Sequence, residues 1–136
     1  MGQYTDGKFD IIVTDETPIA HKPYKASESD HEFMSGEVLG LIECGIAEPT
    51  ISPWSFPAIC VHRLLNGIDK RRMVVDFRDL NKRTVNDAFP MPDCDTVLAR
   101  LQSKKFYATL DIKSGFWQVA LSNNAKQYSV FVTREG

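Results

Sequence analysis

The stretch LDIKSGFWQV, residues 110–119, contains one carboxylate, Asp111, at the end of an apolar run and shortly before Ser-Gly. An aspartate in that position commonly accepts backbone N–H bonds in an Asx-turn, and turn aspartates greatly outnumber catalytic ones. The alternative is a hard oxygen ligand for Mg²⁺. Because one carboxylate does not complete a catalytic magnesium site, this alternative requires a second acidic motif close in space.

Basic residues concentrate in the later part of the chain. The net charge of −2 argues against a strongly basic nucleic-acid binder. However, residues 1–49 contain three lysines and ten acids, whereas residues 50–136 contain thirteen basic and eight acidic residues. A local cluster of seven basic against three acidic residues indicates a phosphate partner, although solvated charged faces are commoner. The basic members of this 62–83 cluster are Arg63, Lys70, Arg71, Arg72, Arg78, Lys82 and Arg83.

Composition and length limit which classes of protein this chain can belong to. A chain of 136 residues, 43% hydrophobic and 25% charged, is one globular domain or part of a larger one. Cys44, Cys60 and Cys94 are odd in number and widely spaced, which favours reduced thiols over a disulfide framework or a zinc site. The scattered histidines favour surface or structural roles. Without an 18-residue apolar run or a basic-then-apolar leader, we expect neither a membrane span nor a signal peptide.

Several elements are predicted upstream of Asp111. FDIIV (9–13) predicts a strand, and Ser29 with Glu32 fits a capping box that begins a helix. Gly45 suits the left-handed cap that ends this helix. The predicted apolar stripe is Met34, Val38, Leu41 and Ile42.

A hairpin is predicted around Asn66-Gly67, which separates the alternating runs 57–65 and 70–77. We expect a loop longer than two residues, with Trp54 and Phe56 in the core. Alternation along the second arm places mostly charged residues on one face, namely Arg72, Val74, Asp76 and Arg78. The other face carries Arg71, Met73, Val75 and Phe77.

The segment that leads to Asp111 is predicted to begin with an extended linker, because Pro90 and Pro92 block helix formation. Asp93 or Asp95 then caps a short helix. The run FYATLDI (106–112) predicts a strand, as do 116–121 and 128–133. The sequence therefore indicates an α+β fold, a mixed sheet with two or more helices.

Three ordered segments closely resemble the reverse transcriptase of gypsy-type LTR retrotransposons: SPWSFPAICV (52–61), RRMVVDFRDLNKRT (71–84) and LDIKSGFWQV (110–119). PIAHKPYKAS (18–27) and FPMPDCDTVLARL (89–101) fit the same pattern. The resemblance implies part of a right-hand polymerase fold with a mixed or antiparallel sheet. It divides the chain into an N-terminal extended segment (1–25), fingers (26–92) and the first part of the palm (93–136).

The resemblance implies that Asp111 is the first catalytic aspartate and binds two Mg²⁺ ions, with the Ile112 carbonyl as a further ligand. In the family the ions activate the primer 3′-hydroxyl and stabilise the leaving pyrophosphate. Phe116 resembles the steric gate that excludes ribonucleotides by repulsion. The alternative for Phe116 and Trp117 is core packing, expected for one of them because adjacent strand residues face opposite ways. Gln118 is expected to support the turn around Asp111.

Other implied contacts are basic. Arg72 resembles the fingers arginine that grips the triphosphate, and Arg63 and Lys113 are further nucleotide-binding candidates. Arg78 and Asn81 resemble template-strand contacts, with a solvated loop as the alternative. Asp76 is expected to organise ion pairs with the arginines beside it.

The implied partners are an RNA template, a DNA primer, dNTPs and the remainder of a Pol polyprotein, with no membrane. The implied location is a cytoplasmic virus-like particle, and nuclear access stays open. The family's Tyr-X-Asp-Asp motif does not occur in the 136 residues and is expected downstream, so the chain alone is expected to be inactive. The alternative is a non-catalytic nucleic-acid-binding or protein-interaction remnant of a retroelement.

Overall fold

A computed structural model describes residues 4–102 and 104–136. Within them the strands form two sheets. β1 pairs with β4 in parallel, and a three-stranded sheet has the order β3-β2-β5, antiparallel between β2 and β3 and parallel between β2 and β5. The predicted α+β class with a mixed sheet is confirmed. The elements are β1 (Tyr4–Phe9), α1 (Glu28–Glu43), β2 (Phe56–Leu65), β3 (Ile68–Val75), α2 (Arg78–Arg83), α3 (Cys94–Leu101), a 3₁₀ helix (Gly115–Gln118), β4 (Val119–Leu121), α4 (Asn123–Lys126) and β5 (Phe131–Val132).

The β2–β3 hairpin is the longest strand pairing in the described chain. Its register runs from Ala58 opposite Val75 to Leu65 opposite Ile68, so Asn66-Gly67 is the whole loop. The expected longer loop is therefore wrong. Both turn residues have positive φ, 53° and 77°, as a type I′ turn requires. Asparagine and glycine tolerate that conformation, and its twist matches that of the strands.

The core lies where β2 enters the sheet. Phe56 is fully buried, and Trp54 and Tyr128 are 2% and 3% exposed, which confirms the predicted core aromatics. The Trp54 and Tyr128 rings pack edge-on with their centroids 5.1 Å apart, and the centroids of Phe56 and Phe77 are 5.2 Å apart. Leu80 of α2 completes this cluster, so the core joins the hairpin to the segments on either side of it.

Helix α1 begins slightly earlier than the predicted capping box. Ser27 is the N-cap, and its hydroxyl accepts a hydrogen bond from the Asp30 N–H at 3.2 Å. Ser29 lies inside the helix, where its hydroxyl accepts a bond from Arg71 Nη1 at 2.7 Å. The predicted C-terminal signal is confirmed, because Gly45 has φ 68°. Of the apolar stripe predicted for this helix, Met34 is buried.

Three predicted strands differ from the structure. β1 ends at Phe9, so FDIIV is mostly irregular and only Val13 forms an isolated bridge, with Thr84. Residues 106–112 form no strand, since no described strand pairs with them and β-propensity depends on such a partner. Residues 116–121 begin in the 3₁₀ helix, and of 128–133 only Phe131 and Val132 are in a strand.

Short helices α2 and α4 lie in segments for which no helix is predicted. The second hairpin arm ends at Val75, so Asp76 and Arg78 lie beyond the strand, and alternation does not place them on the face of Arg72. The polar run after β4 forms α4. Before α3 the prediction holds: residues 85–93 are irregular, and the Asp93 carboxylate caps the helix by accepting the Thr96 N–H at 2.8 Å. No helix of the described residues is long and apolar enough to cross a membrane.

Candidate active site and cationic hairpin face

Asp111 lies in an irregular segment rather than on a strand, and its side chain is exposed. The turn behind it is closed by other residues. Gln118 Nε2 donates to the Lys113 carbonyl at 2.8 Å, and the Trp117 N–H donates to the Ser114 carbonyl at 3.0 Å. The predicted supporting role of Gln118 is confirmed. No described residue donates a hydrogen bond to the Asp111 carboxylate, so the Asx-turn alternative does not describe this aspartate.

The oxygens at this position fit part of a divalent-cation site. Asp111 is exposed, and Ile112 is 70% exposed. Carboxylate and carbonyl oxygens are hard ligands of the type that Mg²⁺ takes together with waters and substrate phosphates. Within the described residues no cluster of three ligand side chains includes Asp111. The remaining ligands of a catalytic ion must therefore come from outside this segment.

The two aromatic residues beside Asp111 are both at the surface. Phe116 is 98% exposed and Trp117 is 48% exposed. The expectation that one of them packs in the core is wrong, because they occupy a 3₁₀ helix and strand alternation does not apply there. Lys113 precedes this helix and is exposed as well.

The hairpin carries its charges on two different faces. Residues directly opposite each other in an antiparallel pair project to the same side. Arg63 lies opposite Lys70, and Arg72 lies opposite Val61 two positions away, so these three cations share one side, which we name the cationic face. Among the described residues none of the three forms an ion pair or a side-chain hydrogen bond.

The other four basic residues of the 62–83 cluster are already paired. Arg71 Nη1 donates to the Ser29 carbonyl at 2.9 Å on the opposite face of the hairpin. Arg78 is paired with Asp76, Lys82 with Asp79 at 2.7 Å, and Arg83 with Asp15 at 3.2 Å. The acidic first part of the chain thus neutralises part of the cluster, and the cationic face is what remains for an external anion.

The Asp76–Arg78 pair is bidentate. Arg78 Nε and Nη2 donate to the two Asp76 oxygens at 2.8 and 2.6 Å, and the Tyr24 hydroxyl donates to Oδ2 at 3.1 Å. The Arg78 hydrogen bonds, aided by Tyr24, hold the pKa of Asp76 well below its usual range. The predicted organising role of Asp76 is confirmed toward Arg78, whereas Arg72 forms no such pair within the described residues. Asn81 is exposed on α2.

A polar cavity of about 410 Å³ lies beside this pair. Its walls include His21 and Tyr24, which our sequence reasoning did not assign to a site. His21 Nε2 lies 3.0 Å from Asp79 Oδ2. Both residues lie in the PIAHKPYKAS segment (18–27), which fits the family pattern but for which no side-chain role is predicted. The cavity is lined by His21, Tyr24, Asp76, Arg78, Asp79 and Lys82.

Comparison with protein families matches residues 64–136 to the family described as reverse transcriptase (RNA-dependent DNA polymerase). The match covers more than half of the chain. The chain belongs to the reverse transcriptase family. The predicted family is thereby confirmed, and this family normally uses divalent metal ions.

Individual relatives of this reverse transcriptase chain are polyproteins. It is 34% identical over 131 residues to the retrovirus-related Pol polyprotein from transposon gypsy of Drosophila melanogaster, covering 93% of the chain and 12% of the relative. For the Pol polyprotein from transposon 412 of the same organism the identity is 32%, covering 95% and 11%. The enzymatic polyprotein of cauliflower mosaic virus (strain NY8153) is 35% identical, covering 85% and 17%. The chain therefore spans less than a fifth of the length of each.

Proposed function

We propose that this chain is the fingers and the first part of the palm of a retrotransposon reverse transcriptase that copies RNA into DNA by two-magnesium nucleotidyl transfer. The observation that carries the proposal is the Asp111 carboxylate, which is exposed and left unbonded by its own turn in a chain of this family. In a right-hand fold, residues 1–25 are the N-terminal segment, 26–92 the fingers and 93–136 the palm portion.

In the proposed mechanism, Asp111 and the Ile112 carbonyl would hold Mg²⁺. When bound, the ions lower the pKa of the primer 3′-hydroxyl and stabilise the leaving pyrophosphate. Gln118 keeps the turn closed, so the carboxylate remains available at one position. Because one carboxylate is half of the required set and no Tyr-X-Asp-Asp occurs among the 136 residues, we propose that the chain alone does not polymerise.

The cationic face supports the proposed nucleotide contacts. The Arg72 guanidinium can donate to two phosphate oxygens of a dNTP, and Arg63 adds a second fork on the same side of the hairpin. Lys113 and Phe116 flank Asp111, where the sugar and triphosphate of the incoming nucleotide would lie. Arg78 and Asn81 are the proposed template contacts. The Arg78 side chain is 77% exposed while its guanidinium is oriented by Asp76.

The proposed partners are the RNA template, the DNA primer, dNTPs and the remainder of the Pol polyprotein, within a cytoplasmic virus-like particle. An alternative function is a non-catalytic nucleic-acid-binding module. The cationic face favours it, because unpaired cations bind phosphates without any metal. The two functions differ in whether Asp111 is required.

The experiment begins with the sequence encoded after codon 136. If it supplies an in-frame Tyr-X-Asp-Asp, the longer chain is expressed and dNTP incorporation on a primed RNA template is measured with and without Mg²⁺. We expect Mg²⁺-dependent synthesis that Asp111→Asn reduces to background, because a metal ligand is removed. Asp87→Asn, in the exposed linker, is the matched control and should retain activity. Full activity of Asp111→Asn, or an immediate stop codon, would favour the binding module.

A further inference from the structure

A second group of ligand-type side chains lies on the other side of the hairpin from the cationic face. It consists of Asp30 from α1 and Cys60 and His62 from β2, whose ligand atoms all lie within 4.8 Å of one another. His62 Nε2 is 2.9 Å from Asp30 Oδ1 and 3.8 Å from Cys60 Sγ. The proposed polymerase chemistry gives no role to these three residues, although Cys60 lies within the 52–61 segment that resembles the family.

Local structure explains why they meet. Cys60 and His62 are two positions apart on β2, so they project to the same side of the hairpin. Asp30 lies in the first turn of α1, and the Ser27 hydroxyl donates to its Oδ2 at 2.7 Å. That bond orients the carboxylate so that Oδ1 points to His62. The Asp30 side chain is only 16% exposed, whereas His62 is 45% exposed and gives solvent access to the group.

The spacing fits a tetrahedral transition-metal ion. Zinc bonds of about 2.0–2.3 Å to nitrogen, oxygen and sulfur imply separations of about 3.3–3.7 Å between neighbouring ligand atoms. The two separations from His62 Nε2, 2.9 and 3.8 Å, lie on either side of that range, and all three ligand atoms lie within 4.8 Å of one another. A thiolate, an imidazole and a carboxylate are zinc ligands, whereas Mg²⁺ prefers oxygen alone.

A fourth residue completes the arrangement expected around a metal-bound histidine. Asp69 Oδ2 lies 2.8 Å from His62 Nδ1, so it can accept the Nδ1–H bond and leave Nε2 as the ligand.

Charge balance points the same way. Two carboxylates and a Cys60 thiolate carry three negative charges, which a divalent ion and the neighbouring Arg71 together neutralise. Arg71 Nη1 lies 3.7 Å from Asp30 Oδ1. Ion binding displaces the Cys60 thiol proton, and any proton on His62 Nε2, to solvent.

We propose that Asp30, Cys60 and His62 bind one zinc-class divalent ion, with water in the fourth position and Asp69 orienting the imidazole. The ion joins the N-terminus of α1 to the hairpin from the side opposite Arg72. This site is separate from the magnesium chemistry proposed at Asp111.

The test uses the untagged, reduced 136-residue chain after removal of metals with EDTA. Co²⁺ serves as the spectroscopic probe and Zn²⁺ is titrated by calorimetry in excess Mg²⁺. We expect one ion per chain and a thiolate-to-cobalt charge-transfer band. Cys60→Ser should abolish that band and weaken Zn²⁺ binding by about tenfold or more, and Asp69→Asn should weaken it by roughly 10–100-fold. Cys44→Ser and Cys94→Ser, at exposed free cysteines, are matched controls and should change neither.

Three results would overturn the proposal: no Zn²⁺ binding by the folded wild-type chain, a charge-transfer band that survives Cys60→Ser, or a band that disappears when Cys44 or Cys94 is replaced. Circular dichroism verifies that each variant folds. If Cys60→Ser fails to fold, Asp30→Asn replaces it, and cobalt spectra and Zn²⁺ affinity identical to those of the wild type would contradict the assignment.

Discussion

Two aspartates near the proposed substrates occupy opposite environments. The Asp76 carboxylate receives hydrogen bonds from Arg78 and Tyr24, whereas the Asp111 carboxylate receives none from the described residues. A carboxylate whose two oxygens both accept hydrogen bonds from one guanidinium, as those of Asp76 do, is poorly placed to bind a cation, because the metal must displace that partner. The geometry therefore separates a positioning residue from a candidate metal ligand, although both lie in segments that resemble the family.

The Asp76 pair predicts an acid-sensitive contribution to stability. Because hydrogen bonds from Arg78 lower the pKa of Asp76 in the folded chain, its contribution is present above the unfolded pKa of about 3.9 and is lost as the pH falls further. The melting temperature of the wild-type chain should fall as the pH is lowered from 7 to 2, and Asp76→Asn should make this fall shallower. In that background Arg78→Ala should add no further change. If the fall in melting temperature with pH were the same in the wild type and in both variants, the Asp76–Arg78 pair would not be its cause.

The proposed steric-gate role of Phe116 predicts sugar selectivity in a longer chain, if one is encoded that includes a Tyr-X-Asp-Asp motif. Its ring is 98% exposed and has no packing role, so Phe116→Ala should leave folding intact. Removing the clash with a 2′-hydroxyl should raise ribonucleotide use relative to deoxynucleotide use by roughly tenfold or more. The measurement is the ratio of kcat/KM for the two nucleotides. Trp117→Ala, in the same short helix, is the control, and an equal gain there would assign the selectivity elsewhere.

At the scale of elements, α1 determines which cations of the hairpin are free. It covers the side of the hairpin that carries His62 and Arg71, where Asp30 and Ser29 pair with them. No described residue pairs with the cationic face on the opposite side. A single helix thus leaves free cations on one face of the hairpin, which is the face we propose for phosphate binding.

This division predicts how nucleic-acid binding depends on salt. Replacing Arg63, Lys70 or Arg72 by alanine should weaken binding of the 136-residue chain to a primed RNA template. The salt slope should fall by about 1 for each phosphate that the protein no longer neutralises. Lys126→Ala removes the same charge from a lysine that pairs with Glu48 at 2.7 Å, and should change the slope less. Equal effects at all four positions, measured by fluorescence anisotropy across a salt series, would show that net charge alone governs binding.

Local signals predicted some elements because their causes are local. Asn66-Gly67 specifies the hairpin turn through positive φ, Gly45 ends α1, and Asp93 caps α3. The strand prediction for residues 106–112 failed because a strand depends on a distant partner. Ser27 and Ser29 are chemically identical cap candidates, and only the surrounding packing shows that Ser29 serves Arg71 instead.

The candidate site divides in the same way. The motifs identified Asp111, Arg72 and Phe116 because these residues belong to contiguous family segments. They could not show which cations are neutralised, since Arg83 pairs with Asp15 and Arg71 with α1, far away in sequence. The Asp30–Cys60–His62 group was missed for that reason too, because its acid and its cysteine lie on different elements that only the fold brings together.

At the scale of the whole molecule, the chain exposes more surface than a compact domain. Its accessible area is 11101 Å², whereas a compact monomer of its mass exposes roughly 7200 Å². The exposed large hydrophobic side chains include several that are close to Asp111 in sequence. Phe106, Leu110 and Phe116 are 92%, 93% and 98% exposed. Apolar surface of this kind favours contact with another protein surface or with a second copy.

We therefore expect the 136-residue chain to associate with itself and to melt over a broad range. Leu110→Glu places a charge within the exposed apolar segment and should shift sedimentation toward the monomer, because a charge is costly to bury in an apolar contact. Ile51→Glu introduces the same charge at a fully exposed isoleucine elsewhere in the chain and is the control. Sedimentation velocity over a concentration series, with thermal melts of the same samples, measures both. A strictly monomeric wild-type chain with a cooperative melt would show that this apolar surface is not adhesive.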